Sequence, residues 1–371
     1  MSMNVHIISP QLYPCFVGGV EIFNFYFADE LSRRGINVTV HTQCNSETIK
    51  HISKEKKTLR NKIPIISQWA SIIYNIATSK SNDDILHVPY TSNSPLVYPI
   101  LFLRYLFKVP YVVVIHGGGL KPWKYPRIHK KFFINASSIV AVSNPIKDEY
   151  ERRTGKKITV IPPLIPFEKS LISKENLKKK YGLKPEEIAI VSVGSIKKIK
   201  GSDILLEAFI QLGKKRIKEK KLHLVYAGDG ELRAKLESQA KEHDLAESVT
   251  FLGTIPHSQI PEIFKMADIY VIPSLFEGTP ISLLEAMFNG LPIVGANTKG
   301  INSIISHGKN GLLFERENAN DLKRTLDDLL VNFHSHSKLG EEAFMDYRSQ
   351  WNYQKAIDEH IAIMKEIIGG S

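Results

Sequence analysis

Short β-branched apolar runs alternate with amphipathic helical stretches along most of this chain, and that alternation restricts it to parallel α/β sheets. VHIIS (5–9) leads into a loop holding Gly18-Gly19, a helix over 20–34 closed by Gly35, and then NVTVHT (37–42). Strand, crossover helix and strand in that order form a right-handed βαβ unit. DILHVPY (84–90), YVVVIHG (111–117), SIVAVS (138–143) and KITVIPP (157–163) extend the series. Pro162-Pro163 and the polar SLISKENLKKKYG interrupt it. A second series then runs through IAIVSVGS (188–195), LHLVYAG (222–228), VTFLGT (249–254), DIYVIPS (268–274) and LPIVGA (291–296). The pattern predicts two Rossmann-like parallel-sheet domains, 1–165 and 166–348, followed by a helical segment, 349–371. Ligands of open parallel sheets bind beyond the carboxyl ends of the strands, so the cleft between two such sheets is the expected active site.

The segment 268–296 carries the most chemistry. Its strand enters a tight loop, Glu277-Gly278-Thr279-Pro280, and a short helix follows from Ile281 to Asn289. Gly278 lets the backbone approach a ligand, and Pro280 suits a first helical turn. The N–H groups of Ile281, Ser282 and Leu283 are then expected to be free at a helix N-terminus, where anions bind. Glu285 lies among Leu283, Leu284, Ala286, Met287 and Phe288, and a carboxylate in such surroundings needs a partner. Glu277 and Glu285 also admit a reading as the carboxylate pair of a retaining glycosidase.

Glu277 and Glu285 stand within PSxxEGTPxSLLEAM, followed by GLPIV, and this segment resembles the signature of family-4 retaining glycosyltransferases, which have the GT-B fold. GGVE (18–21) is similar to that family's first-loop diglycine, and HGGG (116–119) to its His-Gly turn. VGSIKKIKG (193–201), YAGDGELRAKLE (226–237), the stretch FLGTIPHSQIPEIFKMADIYVIPS and HGKNGLLFE (307–315) continue the likeness in order over nearly the whole chain. The resemblance implies a donor that is a nucleotide-diphosphate sugar, with no cofactor and no required metal. Glu285 would then bind the ribose hydroxyls, while Glu277 and the backbone of Gly278, Thr279, Pro280 and Ile281 hold the sugar. Gly18 and Gly19 would admit the diphosphate, Lys200 would neutralise the leaving phosphate, and His116 would orient the sugar. The family's usual arginine is replaced by Ser195, so Lys197 or Lys198 would supply the charge instead, and Ser195 and Lys197 are candidate phosphate contacts. The resemblance further implies a last helix that crosses back onto the first domain and a cleft that closes on the donor. It also implies transfer on one face of the sugar with no covalent intermediate.

Charge is distributed unevenly. Residues 1–165 hold 21 Lys and Arg against 10 Asp and Glu, whereas the remainder holds 28 of each. A basic first half suits an anionic surface, and the clusters at 50–62 (Lys50, Lys54, Lys56, Lys57, Arg60, Lys62) and 121–131 (Lys121, Lys124, Arg127, Lys130, Lys131) point to a membrane. The first cluster adjoins the apolar run IPIISQWASIIYNIA, as an interfacial segment would. Expected partners are therefore a lipid-linked or saccharide acceptor and an anionic membrane surface, with no nucleic acid. Met1–Pro10 reads as a strand, not a secretory signal. PLVYPILFLRYLFKVPYVVVI (95–115) is broken by Arg104, Lys108 and Pro110, so a buried helix and a strand are expected there and not a membrane span. Two cysteines, Cys15 and Cys44, are too few for a disulfide framework, and reduced thiols in a cytoplasmic setting are expected. The competing readings are a nucleotide-sugar 2-epimerase of the same fold and a non-catalytic protein that binds anionic surfaces.

Overall fold

Each strand series folds into its own all-parallel sheet in the computed structural model, which describes residues 3–13, 15, 18–42, 57–60, 72–74, 76, 81, 83–91, 94–117, 122–331 and 333–370. Residues 1–166 and 352–371 form one unit, and residues 167–351 form the other.

Among the described residues the first unit holds seven strands: β1 (Asn4–Ile8), β2 (Asn37–Thr42), β3 (Lys57–Arg60), β4 (Asp84–Tyr90), β5 (Tyr111–Ile115), β6 (Ser138–Ala141) and β7 (Thr159–Val160). Their spatial order is β3-β2-β1-β4-β5-β6-β7. Val5 of β1 sits between Val38 and Ile85 in register, and Val112, Val113, Val114 and Ile115 of β5 are all buried. Central strands covered on both faces need such unbroken apolar runs. Helix α1 (Gly19–Arg33) buries Phe23, Phe27 and Leu31, and Gly35 at φ +76° completes its left-handed exit. Helices α2 (Val97–Leu106), α3 (Pro126–Asn135) and α4 (Asn144–Thr154) follow in this half of the chain.

In the second unit β8 (Ile188–Val193), β9 (Leu222–Ala227), β10 (Val249–Phe251), β11 (Ile269–Ile272), β12 (Ile293–Ala296) and β13 (Leu312–Phe314) take the order β10-β9-β8-β11-β12-β13. Its helices are α5 (Lys174–Lys180), α6 (Ser202–Leu212), α7 (Lys214–Glu219), α8 (Arg233–Glu242), α9 (Ile260–Met266), α10 (Ile281–Phe288), α11 (Ala319–Val331) and α12 (Phe333–Gln350). The last helix, α13 (Tyr353–Gly369), starts at Asn352, whose side chain caps it by accepting from the Lys355 N–H at 2.9 Å. It belongs to the first unit, where it packs on α1 and β4 through Ala356, Ile357, His360, Ile361 and Met364.

Several sequence expectations are corrected here. The edge strands β3 and β13 were not anticipated, and KITVIPP contributes only Thr159–Val160, because Pro162 and Pro163 have no N–H to pair. The helix within 95–115 is not simply buried: Tyr98, Phe102, Tyr105 and Leu106 face outward. Cys15 is disulfide-bonded, in place of the reduced thiol expected. Most of the 50–62 cluster and of the apolar run after it lies outside the described residues. Among the described residues no helix is long and apolar enough to cross a membrane.

Helix α13 brings an imidazole into an aromatic core. The His360 ring lies 5.0 Å from that of Phe27 and 6.0 Å from those of Phe23 and His87, while His116 packs 5.1 Å from Phe23. Burial pushes His116 down to about 3, His360 down to about 4 and His87 well below the usual range. In the unfolded chain the same groups take up protons near ~6.5, so between these limits the unfolded state binds more protons. Stability is therefore full above that pH and falls as the pH drops towards 4. Melting temperature followed between pH ~7 and ~4.5 should decline in the wild type and decline less steeply in His360→Phe. Parallel curves for the two proteins would contradict this account.

Candidate active site

In the second unit the sequence-predicted residues gather at the carboxyl ends of two paired strands, β8 and β11. After β8 the chain makes a single 3₁₀ turn, Lys198–Lys200, and its Ile199 carbonyl accepts the N–H of Leu275 from the loop after β11 at 3.0 Å. Lys200 Nζ thereby donates to Glu277 Oε1 at 2.7 Å, with the lysine half-buried and the glutamate side chain largely buried. Gly201 makes this approach feasible. Its φ is +64°, and a Cβ there would lie 2.1 Å from the Pro273 carbonyl oxygen. Gly300 closes in from the other side, where a Cβ would lie 2.2 Å from the carbonyl oxygen of Glu277. Backbone contacts of this closeness hold the acidic loop in one place.

Helix α10 starts at Pro280, and the Tyr270 hydroxyl anchors its first turn by donating to Ser282 Oγ at 2.8 Å. Pro280's carbonyl accepts the N–H of Leu283 at 3.1 Å, so that amide is engaged within the turn and not free as expected. Ile281 and Ser282 remain the amides at the open end of the helix. Gly278 and Thr279 complete the loop, with Thr279 buried.

Glu285 is 8% exposed on the buried face of α10. Its burial raises the carboxyl above the usual range, and His257 opposes that rise from 3.5 Å, the distance from Nε2 to Oε1. His257, at the start of a 3₁₀ turn before α9 (Ile260–Met266), is the site residue that sequence reasoning missed. Its only local signal was a histidine between Pro256 and Ser258 in an otherwise ordinary loop.

Of the candidate phosphate contacts, Ser195 is half-buried and its carbonyl accepts the Lys197 N–H at 3.0 Å. Lys197 is exposed, whereas Lys198 is held by Asp203 and is committed elsewhere. Of the three lysines of this turn, Lys200 is therefore paired with Glu277, Lys198 with Asp203, and Lys197 stands exposed.

The first unit holds a separate group of sequence-predicted residues. Gly18 is the N-cap of α1 and Gly19 its first residue. The carboxylate of Glu21 lies over this helix start, with Oε2 only 2.3 Å from where a Gly18 Cβ would stand, and burial raises its affinity for a proton. His116 follows β5, and its N–H donates to the Tyr90 carbonyl at 2.9 Å. Although the residue is half-buried, its Nε2 is sealed from solvent, which keeps the imidazole neutral. A neutral imidazole suits hydrogen bonding to a hydroxyl and not ion pairing with a phosphate.

Comparison with known proteins shows the family and the fold. The family model for glycosyl transferases group 1 matches residues 173–345, and that for glycosyltransferase family 4 matches residues 17–169. An uncharacterized glycosyltransferase of Methanocaldococcus jannaschii is 23% identical over 95% of both chains. N-acetyl-alpha-D-glucosaminyl L-malate synthase of Bacillus anthracis is 25% identical over 78% of this chain and 76% of its own. Among solved structures, HepE of Anabaena in complex with UDP and glucose superposes with a TM-score of 0.82, at 16% identity, over 98% of this chain and all of its own. With two family models spanning nearly all of both sheets, and the acidic loop and its lysine in place, the chain is a member of the group 1, family-4-like glycosyltransferases with the GT-B fold.

Proposed function

We propose that this glycosyltransferase moves a sugar from a nucleotide-diphosphate donor to a lipid-linked or saccharide acceptor in glycan or glycolipid biosynthesis, with retention of configuration and without a metal. The observation that carries the reading is one strand–loop–helix segment holding the buried Glu285 and, in its loop, Glu277 paired with Lys200 from the turn after β8. Glu285 accepts from the ribose hydroxyls, and Glu277 with the Gly278–Ile281 backbone holds the sugar. Lys200 and the amides of Ile281 and Ser282 offset the charge that grows on the departing phosphate. Gly18 and Gly19 leave room for the diphosphate at the start of α1, and neutral His116 orients a sugar hydroxyl. The sugar–phosphate bond breaks as the acceptor oxygen attacks the same face, and the acceptor proton passes to a phosphate oxygen. The HepE complex, which contains UDP and glucose, supports the choice of donor class. The basic first half supports work at an anionic membrane surface.

Incubating the purified protein with a donor panel, with and without a chelator, tests this directly. The expected result is release of a nucleoside diphosphate, undiminished by chelation, and a product that keeps the donor's anomeric configuration. An inverted product overturns retention, and loss of turnover on chelation overturns metal independence. Release of nucleotide with an epimerised free sugar would favour the 2-epimerase.

A further inference from the structure

Among the described residues, seven of the thirteen large apolar or aromatic side chains that are exposed fall between Tyr98 and Ile134. Tyr98, Phe102, Tyr105 and Leu106 follow helical spacing along the outer face of α2, and Phe107 continues it; they are between 39% and 62% exposed. The inner face of the same helix, Val97, Pro99, Ile100, Leu101 and Leu103, is buried. Helix α3 packs beside α2 and presents Arg127, Lys130, Lys131 and Ile134 outward. The two sets meet where Lys131 Nζ stands 4.7 Å from the Tyr105 ring centre.

Charge along this segment has one sign. From Ile85 to Lys147 the chain contains no Asp or Glu, yet it carries Arg104, Lys108, Lys121, Lys124, Arg127, Lys130, Lys131 and Lys147. A protein partner would commonly be met by charges of both signs around an apolar centre. Aromatic rings flanked by cations alone match a bilayer interface, where rings settle at headgroup depth and lysine stems reach to phosphate.

We propose that the outer face of α2 and α3 is the surface by which this protein docks on an anionic lipid bilayer. The proposal rests on the peripheral-membrane part of the functional reading and gives it an address. It places the contact on 98–134 and not on the 50–62 cluster. The rings enter the interface while Arg127, Lys130 and Lys131 engage lipid phosphates.

Flotation of the full-length protein with phosphatidylcholine vesicles, and with vesicles also carrying phosphatidylglycerol, tests the face. Wild type should bind the anionic vesicles and lose binding as salt rises, since the Debye length shortens from ~10 Å at 0.1 M to ~3 Å at 1 M. The triple variant Arg127→Ser, Lys130→Ser, Lys131→Ser should lose anionic binding by roughly tenfold or more. Phe102→Ser with Tyr105→Ser and Leu106→Ser should weaken binding even at low salt, and melting curves establish that each variant folds. A control pair on the other unit, Lys215→Ser with Lys218→Ser, should bind as wild type does. If wild type binds anionic vesicles and both folded variants bind equally well, this face is wrong while the membrane reading stands. If wild type binds neither vesicle, both fall. A wild-type dimer in sedimentation that the aromatic variant turns into a monomer assigns the face to self-association and overturns the proposal. Nucleotide release from the donor, unchanged in all variants, separates these outcomes from failure of the donor reading.

Discussion

Replacing Lys200 by alanine is expected to lower kcat by about 10²–10³-fold, the range observed when one preorganised donor to a developing negative charge is removed. The ammonium lies 2.7 Å from Glu277 Oε1 and is held there by the turn that ends in Gly201 at φ +64°. It is thus positioned before any donor arrives, and no reorganisation is needed as the phosphate departs. The effect should concentrate on charge. Affinity for a nucleoside diphosphate should fall while affinity for the uncharged nucleoside stays unchanged. Lys200→Arg keeps the charge but brings a planar fork into a site fitted to a compact ammonium, so its rescue should be partial. A kcat for Lys200→Ala within about threefold of wild type would remove Lys200 from the proposed reaction.

How much of this was legible beforehand depended on whether the signal was local. The acidic loop was readable because Gly278 and Pro280 mark a turn, and because a glutamate among Leu283, Leu284, Ala286 and Met287 is chemically conspicuous. The central strands were readable because burial on both faces requires continuous apolar runs. The edge strands were not. KTLR of β3 has one β-branched residue among two charged ones, and β13 is three residues long. His257 was also invisible, since its meaning lies in a contact with Glu285 that only the fold creates. Helix α2 failed for a different reason. When a helix is apolar all round, periodicity gives no sign of which side meets solvent, so Phe102 and Tyr105 were read as core. Leu283 marks the same limit at atomic scale, because a first-turn carbonyl had already taken its amide.

The Glu285→Gln variant should bind nucleotide roughly ten- to a hundred-fold more weakly, the cost of exchanging a charged hydrogen bond of ~1.5–3 kcal/mol for a neutral one. The mechanism makes a second, more discriminating demand through pH. Burial raises the Glu285 carboxyl above the ordinary carboxylate range, with His257 holding that rise back from 3.5 Å. The phenols of Tyr270 and Tyr347 also feel the Glu285 charge. Burial keeps both protonated, Tyr347 up to about 12 and Tyr270 higher still, so neither changes charge in the working range. Only the ionised carboxylate offers acceptors to two ribose hydroxyls. Affinity should therefore rise with pH as Glu285 loses its proton, with a midpoint above that of an exposed glutamate. Calorimetric titration of the uncharged nucleoside, which carries the ribose but no titrating phosphate, across acid to neutral pH should show this rise in wild type and a flat profile in Glu285→Gln. His257→Leu removes the group that opposes the upward shift, so its midpoint should move to higher pH while its affinity at the alkaline end recovers. A merely structural role for His257 would lower affinity equally at every pH. Wild-type and Glu285→Gln affinities that coincide throughout would take Glu285 out of the nucleotide site altogether.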